Sequence, residues 1–144
     1  HKRILTVMPE ESTFAYSQRL TGIMMAYQSY GAMFDTGNVC TLSLNIRSQS
    51  EEIKKILSAK RDHTAIIAHN DMIALHILSN LTEEVPIIGF GNIQKKIPFQ
   101  SGLLSIDAAG QNISVCCVDA LLRLIQNPDE LQQHILSVLL IKKD

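Results

Sequence analysis

The chain has 144 residues, one domain by the usual span of about 100–200 residues, and enough to bury roughly two thirds of the surface its unfolded form exposes. Its 46% apolar and 19% charged residues place it among globular chains and outside the disordered classes. Thirteen basic against fourteen acidic residues leave a formal charge of −1, too little positive field for phosphate-backbone affinity, so this segment by itself is not expected to bind nucleic acid.

Residues 4–8, ILTVM, are β-rich and free of charge, which predicts a strand buried on both faces, as parallel strands between helices are. Pro9 ends it. Ser12 and Thr13 can cap the helix that follows, whose apolar positions Tyr16, Leu20, Ile23, Met24 and Tyr27 recur at three- and four-residue spacing until Gly31 stops it. Met8, Met24 and Met25 read as core fillers. The alternation continues with residues 40–44 as strand, 51–58 as helix, Ala65–Ala68 as strand, 71–80 as helix and 86–90 as strand, followed by a polar turn over 92–102. A short strand at 103–106 leads to a long helix over about 111–126, which ends near Asn127-Pro128, and a strand over roughly 135–142 comes last.

Strands alternating with helices predict an α/β fold with a mainly parallel, Rossmann-like sheet and helices on both faces. The long helix is unusual. Ile113, Cys116, Cys117, Ala120, Leu121 and Leu124 form one apolar stripe, and Val115, Val118, Leu122 and Ile125 form a second on another side, so the helix calls for partners on two sides.

The longest apolar runs, at 138–141 and 65–68, fall far short of the roughly 18 residues of a membrane span. The chain opens His1-Lys2-Arg3 and runs straight into a strand, with neither a starting Met nor an apolar leader, which reads as a cut-down chain without a secretory signal. Cys40, Cys116 and Cys117 show no disulfide framework and no CxxC spacing, so a reducing, cytoplasmic setting is the simplest reading. Inside an apolar helix, Cys116 and Cys117 are expected to be buried and inert.

In an open parallel sheet, ligands sit beyond the carboxyl ends of the strands, where strand-to-helix loops and helix N-termini gather free N–H groups. Three such loops carry polar groups here. The first spans 9–19 and offers Glu10, Glu11, Ser12, Thr13, Ser17 and Arg19; the second is His69-Asn70-Asp71; the third, after Phe90, is Gly91-Asn92. Asn70 and Asp71 read equally well as helix caps, and one can cap while its neighbour meets ligand. Arg19 stands in the first turns of its helix, where the dipole disfavours a cation, so a pairing or ligand role outweighs a plain surface role.

Catalytic and metal readings fail on specific counts. GFGNIQ, residues 89–94, has two glycines of a dinucleotide fingerprint but Gln94 at the third position, with no helical pattern directly after it. There is no GxSxG and no HExxH, and Glu83-Glu84 reads as a solvated turn. His69 and His76 lie seven apart, one helical face, without a third ligand. No enzyme activity, metal or cofactor is therefore expected.

Together the pieces resemble the LacI/GalR family of regulators. HKRILTVM, a polar loop and SQRLTGIMMAYQSYG are similar to the family's strand followed by an Arg-x-x-Gly helix start, filled by Arg19 and Gly22. AIIAHNDMIAL resembles its A-x-ND-x-x-A segment, VPIIGFGNI its strand ending in Gly-aromatic-Asp, SGLLSIDAAGQNISVCCVDALLRLI its L-x-[ST]-I segment and following helix, and LLIKKD its closing strand. The resemblance runs end to end and in order.

It implies that residues 1–144 are the C-terminal lobe of an effector-binding domain of the periplasmic-binding-protein type I fold. Residues 103–127 would be the crossover and the helix that pack on the other lobe, and the helix-turn-helix that meets operator DNA would lie in a missing N-terminal region. The implied partner is a small-molecule effector, a sugar or another polar metabolite, at a site drawn from Arg19, Asn70, Thr13, Ser17, Asp71, Phe90, Gly91 and Asn92. Gly91 departs from the pattern where an aspartate commonly takes sugar hydroxyls; that argues against a plain hexose, since an unpaired buried hydroxyl costs about 1–3 kcal/mol, and Gly91→Asp would then favour neutral sugars. The doubly apolar helix predicts a homodimer of the lone lobe, with no membrane partner. A solute-binding protein feeding a sugar transporter shares the fold and is the alternative.

Overall fold

Five successive buried residues, 5–9, put strand β1 (Ile4–Pro9) in the interior of a sheet, as its charge-free run predicts. In the computed structural model, which describes residue 1 and residues 3–43, 45–59, 62–93, 103–107, 110–129 and 138–142, β1 leads to helix α1 (Phe14–Ser29), a 3₁₀ turn (Thr36–Asn38) and strand β2 (Val39–Leu42). Then come α2 (Ile46–Ala59), β3 (Ala65–Ala68), α3 (Asp71–Leu78), β4 (Ile87–Phe90), β5 (Leu103–Asp107), α4 (Gly110–Gln126) and β6 (Leu139–Lys142).

The described strands form one six-stranded sheet in the order β2-β1-β3-β4-β5-β6. All neighbours are parallel except β5 and β6, which run antiparallel with Ser105 opposite Ile141. The order reverses direction after β1, so the turns after β1 and β3 open beside each other at the carboxyl edge, as in doubly wound sheets.

Alternation along the strands sorts side chains to two faces. Leu5, Val7, Leu42, Ile66, Ala68, Ile87 and Leu103 face α2 and α3 and lock with Ile53, Ile73, Ala74 and Ile77 into the core. Ile4, Ile67, Ile88, Phe90 and Ile106 face the other way and, with Ile23, Ala26 and Tyr27 of α1, line an apolar groove of about 910 Å³.

Local chemistry sets the element ends. Thr13, not Ser12, is the N-cap of α1, its hydroxyl accepting from Tyr16 N–H at 3.1 Å. Gly31 takes φ +63° just past the helix, a backbone shape that favours glycine. Helix α2 begins five residues before the apolar repeat at 51–58 announces it, because its first turns are polar: Asn45 Oδ1 accepts from Arg47 N–H, and Gln49 turns inward to donate to the Ser43 carbonyl at 2.8 Å. Strand β2 begins at Val39 and stops at Leu42, and Leu44 lies outside the described residues, as do 94–102 of the expected polar turn and 135–137 of the last strand.

Two expectations about burial are overturned. Met8 is in the core, but Met24 and Met25 are exposed, because α1 buries Ile23 and successive residues turn about 100° away from it. Cys116 is half-buried and Cys117 exposed, because α4 presses neither stripe onto the sheet; Ile113, Val115, Val118, Leu121, Leu122 and Ile125 all face solvent. Among the described residues no helix is long and apolar enough to cross a membrane.

Candidate functional site

The carboxyl edge of β1, β3 and β4 brings three turns together. Arg19, in the second turn of α1, reaches across to the β3–α3 turn and donates from one guanidinium nitrogen to the His69 carbonyl at 2.5 Å and to His69 Nε2 at 3.2 Å. Its guanidinium carbon stands 4.5 Å from the centre of the Phe90 ring, at the end of β4, a cation–π geometry. A cation in the early turns of a helix is thus held by a carbonyl, an imidazole and an aromatic face rather than by a surface carboxylate. Burial lowers the proton affinity of the guanidinium, and the Asp71 carboxylate nearby opposes that shift.

An always-charged donor at Nε2 assigns the His69 tautomer: Nε2 accepts and Nδ1 carries the proton. The imidazole pKa is pushed below its ordinary value, first by burial and then by the Arg19 charge. Nδ1 is buried without a hydrogen-bond partner. Tyr16 lies beside the ring, centroids 6.5 Å apart. His69 belongs to the turn before α3, while His76 sits on α3 with its Nδ1 2.5 Å from Gln49 Oε1, so the seven-residue spacing does not place them on one helical face. Among the described residues no group of three or more His, Cys, Asp or Glu side chains could hold a metal ion.

Asn70 is the N-cap of α3, its Oδ1 accepting from Ile73 N–H at 2.8 Å. Asp71 is 2% exposed, and its side chain points inward. Its carboxylate accepts from the Ser105 hydroxyl, 2.8 Å from each oxygen, and from Ile93 N–H at 2.8 Å. Asn92 also faces inward, donating from Nδ2 to Asp107 Oδ2 at 2.7 Å. Thr13 is occupied as the α1 cap, and the Ser17 hydroxyl donates to the Thr13 carbonyl at 3.3 Å. Gly91 is exposed at the edge with φ +121°, a conformation that strains any L side chain, so Gly91→Asp would not restore an acceptor there without reshaping the turn. Of the residues named from the sequence, Arg19 and Phe90 meet side chain to side chain, with Gly91 following Phe90 at the same edge; Thr13, Asn70, Asp71 and Asn92 hold the surrounding backbone.

Sequence reasoning placed His69 in the second loop but did not carry it into the site, and it left out Ser105. His69 carried a signal, since it directly precedes a helix cap at a strand end; Ser105 lay within the L-x-[ST]-I segment but had no local reason to meet Asp71.

No protein-family model matches the chain. In sequence it is similar to the HTH-type transcriptional repressor CytR of Escherichia coli strain K12, 31% identical over 101 residues, 65% of this chain and 29% of the repressor. In fold it is similar to the transcriptional regulator CelR in complex with cellobiose, with a TM-score of 0.81 and 19% identity over 98% of this chain and 46% of that one. A LacI family transcriptional regulator from Enterococcus faecium with bound ribose matches with a TM-score of 0.81 and 22% identity, over 99% of this chain and 55% of that one. The chain therefore spans less than a third of the curated relative and about half of these structures. In sequence the chain is thus similar to part of a transcriptional repressor, and in fold, a mostly parallel six-stranded sheet with helices, it is similar to solved transcriptional regulators, one of them of the LacI family.

Proposed function

We propose that residues 1–144 are the C-terminal lobe of the effector-binding domain of a LacI-type regulator, and that the carboxyl edge of the sheet senses a small polar molecule. The observation that carries this is Arg19, pinned by the His69 carbonyl and Nε2 and stacked over Phe90 at the strand ends. A positioned guanidinium offers forked, charge-assisted hydrogen bonds, worth roughly 1.5–3 kcal/mol to a charged or strongly polar group. Thr13, Ser17, Asn70, Asp71, Gly91 and Asn92 complete the site, by contact or by holding the backbone that makes contact. The relatives being regulators, two of them solved with cellobiose and ribose, supports a sugar-like or otherwise polar effector, and favours a sensor over a transporter's solute-binding protein or an enzyme. No cofactor is needed for such a role.

DNA binding belongs to a separate N-terminal domain, and the setting is cytoplasmic. Helix α4 is the element that packs on the other lobe of such a domain; in the 144-residue chain by itself its exposed stripes pair two copies into a homodimer. Differential scanning fluorimetry against a panel of monosaccharides, disaccharides and inorganic phosphate tests the site. At least one compound should raise the melting temperature; Arg19→Ala should weaken its binding about tenfold or more, and Arg19→Lys should not restore it, since a point charge lacks the planar fork. Equal affinities for the wild type and Arg19→Ala remove Arg19 from the site.

A further inference from the structure

The Gly91-Asn92 turn is held from below. The Ser105 hydroxyl, fully buried on β5, donates to the Asp71 carboxylate and accepts from Asn92 N–H at 2.9 Å, while that carboxylate accepts from Ile93 N–H at 2.8 Å. Two successive amides of the turn therefore point into one buried anionic cluster. Asn92 takes φ +50° to allow it, and its side chain is tied to Asp107 on the same strand. Gly89, one residue before Phe90, leaves the space that the carboxylate fills: a Cβ there would stand 2.3 Å from Asp71 Oδ1.

The peptide bonds here are trans and planar, so a carbonyl points opposite to the N–H of the next residue. With the amides of Asn92 and Ile93 turned inward, the carbonyls of Gly91 and Asn92 turn away from the cluster; Gly91 is exposed, and Asn92 keeps 5% of its surface open. An aspartate side chain is not needed for this edge to accept hydrogen bonds.

We propose that Ser105 and Asp71 are positioning residues that present the Gly91 and Asn92 backbone carbonyls as the acceptors of the site, for a ligand that brings hydroxyl or N–H donors beside the group held by Arg19. This rests on the carboxyl edge being the effector site. Such acceptors are neutral and fixed in direction, so they select a donor-rich edge of the ligand and gain nothing from a second anion on it.

Residue-resolved hydrogen exchange and carbonyl ¹³C shifts on the 144-residue chain test the hold on the turn. In the wild type the Asn92 and Ile93 amides should exchange at least ~100-fold more slowly than open-chain amides, as amides bonded to buried acceptors do. Ser105→Ala should speed both by at least ~10-fold and shift the Gly91 and Asn92 carbonyls while the amides of β1 and β3 keep their rates, and Ser105→Thr, which keeps the hydroxyl, should restore them. Fast exchange in the wild type, or Ser105→Ala indistinguishable from it, overturns the positioning role; should Ser105→Ala fail to fold, Asp71→Asn, which keeps an acceptor but loses the charge, should speed Ile93 alone. Titration with D-ribose, and then with each other sugar of the same panel, reads the acceptors. Shifts at the Gly91 and Asn92 carbonyls together with Arg19 support the proposal; a response at Arg19 without the carbonyls overturns the acceptor role; no response at either with any of these compounds overturns the effector-site reading and the acceptor role with it, while the hold on the turn stands on the exchange data.

Discussion

Gly89→Ala concentrates the steric argument in one methyl group. The added Cβ would lie 2.3 Å from Asp71 Oδ1, 3.1 Å from Asp71 Cα and 3.2 Å from its N. Real contacts of this kind do not fall below 3.0 Å, so something must move, and there are two ways to move. Shifting the backbone at the start of α3 would break the Asn70 cap and the packing of Ile73 and Ala74. Rotating the carboxylate instead forfeits at least one of its bonds from Ser105 and Ile93. Overpacking a core costs about 1–3 kcal/mol and a lost hydrogen bond to a charged group about 1.5–3, so the variant should lose about 2.5–6 kcal/mol of a stability of order 5–15. Urea unfolding followed by circular dichroism at neutral pH measures it. A loss under about 1 kcal/mol refutes the clash. The sharper test is a double-mutant cycle: with Asp71→Ala already made, Gly89→Ala should cost about 1.5 kcal/mol less than in the wild type, because the carboxylate it strikes is gone. Simple additivity would show that the methyl group meets something else.

Three further outcomes follow from the same geometry. Asn70→Ala should cost about 1 kcal/mol through loss of the α3 cap, whereas Asn70→Asp keeps the cap; any drop in ligand affinity for Asn70→Asp at unchanged melting temperature then reports contact with ligand, and equal affinity leaves Asn70 as a cap alone. Because His69 has its pKa depressed in the folded chain, the unfolded chain takes up a proton near its ordinary value of about 6.5 that the folded chain refuses, so unfolding free energy should fall as pH drops below about 6.5; this slope should exceed that of His69→Gln, and parallel curves would contradict the assignment. Sedimentation of the 144-residue chain at micromolar concentration should show a dimer that Val118→Glu with Leu122→Glu dissociates, since those side chains are 60% and 54% exposed on α4; a wild-type monomer, or a dimer unchanged by both substitutions, places the interface elsewhere.

Periodicity alone determined the order of strands and helices, because burial imposes repeats of two and 3.6 on apolar residues and each repeat is written locally. It also placed the turns that meet at the carboxyl edge, since a parallel sheet leaves no other edge for strand-to-helix turns. The charge-free run of β1 announced a strand buried on both faces, and Arg19 stood out because a helix start is the wrong place for an unpaired cation. The start of α2 was not legible, because its polar first turns are fixed by Asn45 and Gln49 reaching distant backbone and not by an apolar repeat. Nor was the exposure of Met24, Met25 and Cys117, because an apolar residue records a preference for burial and only the placement of neighbouring elements decides whether it is satisfied. The roles of Asp71 and Asn92 were decided by tertiary structure for the same reason. A carboxylate or amide at a strand end is equally suited to cap, ligand or clamp until Ser105 and Asp107, 34 and 15 residues away along the chain, arrive to accept or donate.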